Sequence, residues 1–277
     1  MKAEITDHSR QALADRMRLL VLEMVYWANS GHVSSSLSCI DIIAALRFGV
    51  MAWDPQPPRH DSDLFIMSKG HAAPAWYASL LVDGTADPAL MKRLRDFDSP
   101  FQGHVDRVRC PWVDVTTGAL GQGLSVSIGR ALGKRAKGMA QRVYCLLGDG
   151  ECQEGQVWEA AMYAGFNRLS NLTAIIDYNK KQSDGAVDKT LSLEPLAEKW
   201  RAFGWQVEEI DGHDDRALMA ALQADDNDDR PSLVIAHTTK GYLAPDHNFR
   251  EGTHAGVPGR DEIEQARQLL GLPEVLL

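Results

Sequence analysis

The chain has 277 residues, a formal net charge of −9, four cysteines and nine histidines. That length can bury a substantial core in one large α/β domain or two small ones, and the negative balance argues against a nucleic-acid or anionic-membrane surface. The cysteines (Cys39, Cys110, Cys145, Cys152) lack Cys-x-x-Cys spacing, Lys2 to Arg18 has no apolar signal core, and no apolar run approaches membrane-spanning length, so a soluble cytoplasmic protein with reduced thiols is expected.

Leu13, Met17, Leu20, Val21 and Met24 recur at helical spacing and predict an amphipathic helix ending near Asn29. A Gly-Ser turn is expected over Ser30 to Ser36, then a helix from Leu37 to Phe48, broken by the prolines at 55–58. Asp63 to Met67 reads as a short strand, with a helix after Pro74 and irregular chain from Pro100 to Asp114. Gln122 to Lys137 reads as a helix entered from a glycine-rich turn at Gly118 to Gly123. The centre of the chain is a predicted β-α-β unit: a strand at Val143 to Leu147, a helix over Glu154 to Leu169, and a second strand at Leu172 to Ile176. Beyond it come a loop (Ser183 to Glu194), a helix (Pro195 to Phe203), a strand (Trp205 to Ile210), a helix capped by Asp214, and a last strand at Ser232 to His237. Strands alternating with helices, with few hairpin signals, predict an α/β fold whose parallel sheet carries helices on both faces. The whole of 1–277 is expected to be one domain with an irregular tail from about 242, in which Asp261 to Leu270 is an acidic helix.

The central unit carries the strongest chemical signal. Its first strand ends in Gly148-Asp149-Gly150 and its second leads to Asn179. A β-α-β unit brings both strand ends to the same sheet edge, where open α/β folds bind ligands. The two side chains are hard oxygen donors suited to Mg²⁺, which keeps ligand positions for phosphate oxygens, and the glycines admit a diphosphate close to the backbone. Four histidines follow glycine: His32, His71, His104 and His213. Each alone is either a solvated loop residue or an imidazole presented to phosphate or hydroxyl groups. His213, in Asp211-Gly212-His213-Asp214 before a helix, reads as a structural turn. The run Gly118-Ala119-Leu120-Gly121-Gln122-Gly123 lacks a P-loop ending and the dinucleotide fingerprint, leaving a packed turn or a cofactor contact. No His-x-x-x-His or Cys/His cluster points to zinc.

Gly148-Asp149-Gly150 with Asn179 resembles the signature of thiamine diphosphate enzymes, and the surrounding words resemble transketolases. These are Glu151-Cys152-Gln153-Glu154-Gly155, Trp158-Glu159-Ala160-Ala161, Asp177-Tyr178-Asn179-Lys180, Ser68-Lys69-Gly70-His71-Ala72 and Thr117-Gly118-Ala119-Leu120-Gly121-Gln122-Gly123, in family order from about Ser30 to Gly241. The resemblance implies a thiamine diphosphate-binding fold and transfer of a two-carbon ketol unit from a ketose (phosphate) to an aldose (phosphate). It implies Mg²⁺ on Asp149, Asn179 and the Lys181 carbonyl. The diphosphate would lie by His71 and Gly148 to Gly150, and the thiamine against Gly118, Ala119 and Leu120. His32 and His104 would line the sugar channel, with Glu154 and Glu159 at a subunit interface.

After Lys240-Gly241 the chain departs from the family pattern. Spacing to Pro258 favours His254 as the matching active-site histidine, also near the cofactor, with His247 as the fallback. The recognisable words belong to the diphosphate-binding part alone. The resemblance therefore implies a self-associating subunit paired with a separately encoded C-terminal transketolase subunit, as two copies of each. Another thiamine diphosphate enzyme, such as a deoxyxylulose-phosphate synthase, would share the metal motif but fit the other words less well. A non-catalytic partner subunit is the remaining alternative.

Overall fold

The computed structural model describes residues 7–56, 61–223, 228–250 and 255–273. Five parallel strands form the central sheet: β1 (Leu64–Met67), β2 (Val143–Gly148), β3 (Leu172–Tyr178), β6 (Gln206–Asp211) and β7 (Ser232–His237), ordered β1-β2-β3-β7-β6. Side chains alternate along each strand, and the alternation divides the core in two. Tyr144, Leu146, Ile175, Val234 and Ala236 enter one buried cluster, while Val143, Cys145, Leu147, Ala174, Ile176, Leu233 and Ile235 enter the other. Burial on both faces explains why β2, β3 and β7 read as mainly apolar runs rather than alternating ones, whereas the edge strand β6 exposes Glu208, Glu209 and Asp211.

The first cluster is covered by α1 (Asp7–Ala28), α2 (Val33–Leu37), α3 (Ile40–Ala45), α4 (Ala73–Val82) and α9 (Asp215–Leu222). The second is covered by α5 (Gln122–Ala136), α6 (Gly155–Phe166) and α8 (Leu196–Ala202). Asp214 caps α9, its carboxylate accepting the Arg216 and Ala217 amides at 2.9 and 3.2 Å. All four cysteines are buried free thiols. Among the described residues no helix is long and apolar enough to cross a membrane.

Several sequence expectations need correction. The helix α1 is not amphipathic along its middle: Met17 to Val25 is enclosed on every side, because α3, α4, α9 and α10 (Arg260–Leu269) surround it. The Ser30 to Ser36 turn is partly helical as α2, with Ser36 Oγ donating to the His32 carbonyl at 2.8 Å. The loop at Ser183 to Glu194 contains half of a small hairpin, β4 (Lys181–Gln182) with β5 (Gly185–Ala186), and one turn of helix, α7 (Val187–Thr190). The tail from 242 is not irregular throughout: β8 (Tyr242–Ala244) pairs with β9 (His247–Asn248), and α10 packs on α1 with Arg260 Nε donating to Tyr26 Oη at 3.1 Å. The expected helix at Asp261 to Leu270 is α10, whereas α2, α7 and the two small hairpins are too short for local periodicity to announce them.

Candidate functional site

The sheet order gathers the chain segments that leave β1, β2, β3 and β7 at one edge, the carboxyl ends of four adjacent strands. Gly148 and Asp177 are register partners, so Asp149 and Asn179 follow adjacent strands nearly side by side. A cavity of about 250 Å³ opens there, lined by His71, Leu120, Gly148, Asp149, Gly150, Glu154, Asn179 and Lys181, among others. Asp149 is buried, and its carboxylate accepts the Gly150 and Lys180 amides at 2.7 and 2.5 Å. Asn179 is oriented at both ends: Oδ1 accepts the Lys181 amide at 3.1 Å, and Nδ2 donates to Asp177 at 3.2 Å.

Below this pair lies Asp177, a carboxylate with no solvent exposure inside a strand that is otherwise apolar apart from Thr173 and Tyr178. It accepts hydrogen bonds from Lys69 Nζ, Thr238 Oγ1 and Ser38 Oγ, the last at 2.6 Å. Burial alone would raise its proton affinity, but the Lys69 ammonium and these donors outweigh it and hold the carboxyl below its ordinary range. Lys69, equally enclosed, is held charged by Asp177 despite its burial. Asp149 has no such partner in contact. Burial, then the neighbouring charge of Asp177, push its carboxyl up to about 7. Lys240 reaches the Lys181 carbonyl with Nζ at 3.3 Å, and burial plus the charge of Lys69 lower its ammonium to about 8.

Glu151 ties the site to the glycine-rich turn. Its carboxylate accepts Ser68 Oγ, the Gly121 amide at 2.8 Å and the Gly148 amide at 2.9 Å. Gly121 has φ +81, and a Cβ on Gly123 would stand 2.3 Å from Ser68 Oγ, so this turn needs glycine for packing as well as for any ligand. Gly118, Ala119 and Leu120 are exposed, and of the three Leu120 lines the cavity.

His32 links two openings. Its ring centroid is 5.3 Å from that of His71 in the first cavity and 5.9 Å from that of His104, which lines a second hollow of about 450 Å³ with Arg95, Asp106 and Thr116. Partial burial, then the Arg95 charge, lower the His104 imidazole below its ordinary value, so it is a neutral acceptor at pH 7. Glu154 and Glu159 are exposed on or beside α6, and only Glu154 borders the cavity. His247 is not brought to the site: it lies in the β8–β9 hairpin against α10, with Nδ1 2.8 Å from the Pro245 carbonyl. His254 lies outside the described residues. Sequence reasoning gave no role to Lys69, Asp177, Glu151 or Thr238. The signal for them was Asp177 itself, since a carboxylate in a buried apolar strand requires a cation or several donors.

The residues fit a hard cation. Among the described residues there is no group of three or more His, Cys, Asp or Glu that could hold a metal by itself. The set instead comprises a carboxylate, an amide oxygen and a backbone carbonyl, which suits Mg²⁺ sharing its remaining positions with phosphate. The raised carboxyl of Asp149 marks a place where added positive charge is stabilising.

Residues 9–275 match the family described as transketolase, thiamine diphosphate binding domain. The chain is 42% identical over 244 residues to the 6-deoxy-6-sulfo-D-fructose transketolase subunit SqwG of Clostridium sp. (strain MSTE9), covering 87% of this chain and 88% of that one. It is 37% identical over 258 residues to an apulose-4-phosphate transketolase subunit of Phocaeicola vulgatus, covering 91% and 90%. Among solved structures it is similar to the transketolase of Campylobacter jejuni, with TM-score 0.89 and 30% identity, over 99% of this chain but only 44% of that one. It thus spans less than half the length of that transketolase.

Proposed function

The chain belongs to the transketolase family as its thiamine diphosphate-binding domain, and we propose that it is the N-terminal subunit of a split, cytoplasmic, Mg²⁺-dependent transketolase. The observation that carries this reading is the convergence of Asp149, Asn179, Lys181 and His71 on one cavity at the carboxyl ends of adjacent strands. Asp149, Asn179 and the Lys181 carbonyl hold the metal. His71 and the Gly148 to Gly150 backbone receive the diphosphate, and Gly118, Ala119 and Leu120 lie along the thiamine.

When bound, thiamine diphosphate supplies the carbanion chemistry that moves a two-carbon ketol unit from a ketose or its phosphate to an aldose or its phosphate. The chain's own work is to orient and to handle protons. Neutral His104 accepts hydrogen bonds from sugar hydroxyls, while His32 and His254 contact the substrate and hold or move protons near the reacting carbons. The lowered Lys240 ammonium and the Lys69–Asp177 pair keep the metal-bearing loops in place.

Two features support a partner. The relatives named as subunits are nearly matched in length, whereas the full-length enzyme is not. In addition, Val126 of α5 and Met162, Tyr163 and Phe166 of α6, the helix that carries Glu159, are exposed, with Phe166 at 87% exposure. Such an apolar face, on a helix whose first turn adjoins the cavity, fits self-association and docking of a C-terminal subunit in a heterotetramer. The experiment is ketol transfer with saturating Mg²⁺ and thiamine diphosphate, first with this chain alone and then with the partner added. Activity only on mixing supports the proposal; full activity from the chain alone overturns it.

A further inference from the structure

A line of contacts crosses the molecule from α1 to the segment after β7. Arg18, with no solvent exposure, donates from Nη2 to Asp41 Oδ2 at 2.5 Å. The same oxygen lies 2.8 Å from His213 Nδ1, in the turn between β6 and α9. On the far side of the ring, His213 Nε2 accepts the Thr239 amide at 2.9 Å. A ring nitrogen that receives an N–H must carry a lone pair, so Nε2 is unprotonated and the ring proton sits on Nδ1, donated to Asp41. Asp41, itself held by Arg18, therefore fixes the tautomer that can grip Thr239. The imidazole also stacks on Tyr242, centroids 3.6 Å apart with planes at 14°.

Thr239 sits between two residues that face the site. Thr238 Oγ1 donates to Asp177, and Lys240 Nζ reaches the Lys181 carbonyl at 3.3 Å. Gly212, beside His213, presses on the same stretch: its amide donates to the His237 carbonyl at 2.9 Å, and a Cβ there would stand 2.4 Å from Thr238 Cγ2. We infer that His213 is a positioning residue for cofactor binding, setting the height of the 238–240 segment and hence the seating of Thr238 and Lys240 at the metal–diphosphate site. This goes beyond a structural turn, and it rests on the thiamine diphosphate reading above.

Two amides separate the two ends of the ring. Glutamine at 213 brings its amide oxygen to the Nε2 end, where it accepts the Thr239 N–H. Asparagine reaches only the Nδ1 end, where it satisfies Asp41 and leaves Thr239 unbonded. Titration calorimetry of the assembled enzyme with Mg²⁺ and thiamine diphosphate should give His213→Gln an affinity within about twofold of the wild type. His213→Asn should bind about tenfold more weakly, the scale of one lost hydrogen bond. Melting temperatures of the same samples supply the control. Unaltered binding in His213→Asn, or equal losses in both variants, overturns the inference, as would a melting-temperature change without a binding change. Should His213→Asn fail to fold, Gly212→Ala pushes the same segment without touching the ring and is expected to weaken binding likewise; unchanged affinity there is equally contrary. A wild-type assembly that binds no thiamine diphosphate would overturn the underlying site reading and this one with it.

Discussion

Lys69 and Asp177 form the most enclosed ion pair of those described at the site, and they lie under the proposed metal ligands rather than among them. Removing one member of such a pair leaves a buried charge without its partner, which costs on the order of 3–5 kcal/mol. Lys69→Met is therefore expected to lower unfolding free energy by that order in urea at pH 7, and adding Asp177→Asn should restore part of it. The pH dependence has a definite sign. Asp177's carboxyl is depressed in the folded chain, so its contribution is complete above the ordinary value of 3.8 and is lost as pH falls through the folded value. An undiminished stability in Lys69→Met would show that Ser38 and Thr238 suffice. His254 belongs to the same scale. His254→Ala should fold normally yet lose about 100-fold or more in turnover, the range of a positioned acid–base group, while His247→Ala stays close to wild type. A larger loss for His247 would show that the assignment has the wrong histidine.

At the level of elements, the β-α-β centre was legible because strand ends and apolar runs coincide with the glycine-flanked Asp149 and with Asn179. Parallel pairing then fixes where those ends meet, with no long-range information needed. What escaped was set by distance. Lys69 and Asp177 are 108 residues apart, and the Arg18–Asp41–His213–Thr239 line joins four segments. The small hairpins and α2 are too short for any period to register. One tight contact shows how the covering helices are locked. Gly165 of α6 faces the Phe203 carbonyl after α8, where a Cβ would stand only 1.9 Å away. Gly165→Ala must push α6 from the 203–205 turn, disturbing the Trp205 Nε1 hydrogen bond to the Ala161 carbonyl at 2.8 Å. The expected cost is about 1–3 kcal/mol, seen as a lower melting temperature, with little loss of cofactor affinity. A neutral result would mean that the two elements slide freely at this point.

For the whole molecule, the sheet works as a rack that carries loops from four strands to one edge while two separate cores hold it from either face. Catalysis is proposed to need a second chain, and the proposed grip on metal and diphosphate lies in this one. That makes Asp149 the most direct point of attack: its carboxylate is buried, raised to about 7 and bound to the two amides of its own loop and the next. The decisive measurement is calorimetric titration of the assembled enzyme with Mg²⁺ and thiamine diphosphate, comparing wild type with Asp149→Ala. The account predicts tight, Mg²⁺-dependent binding in the wild type and its loss in the variant, with the variant still folded and assembled. Equal affinity in the two proteins would contradict it.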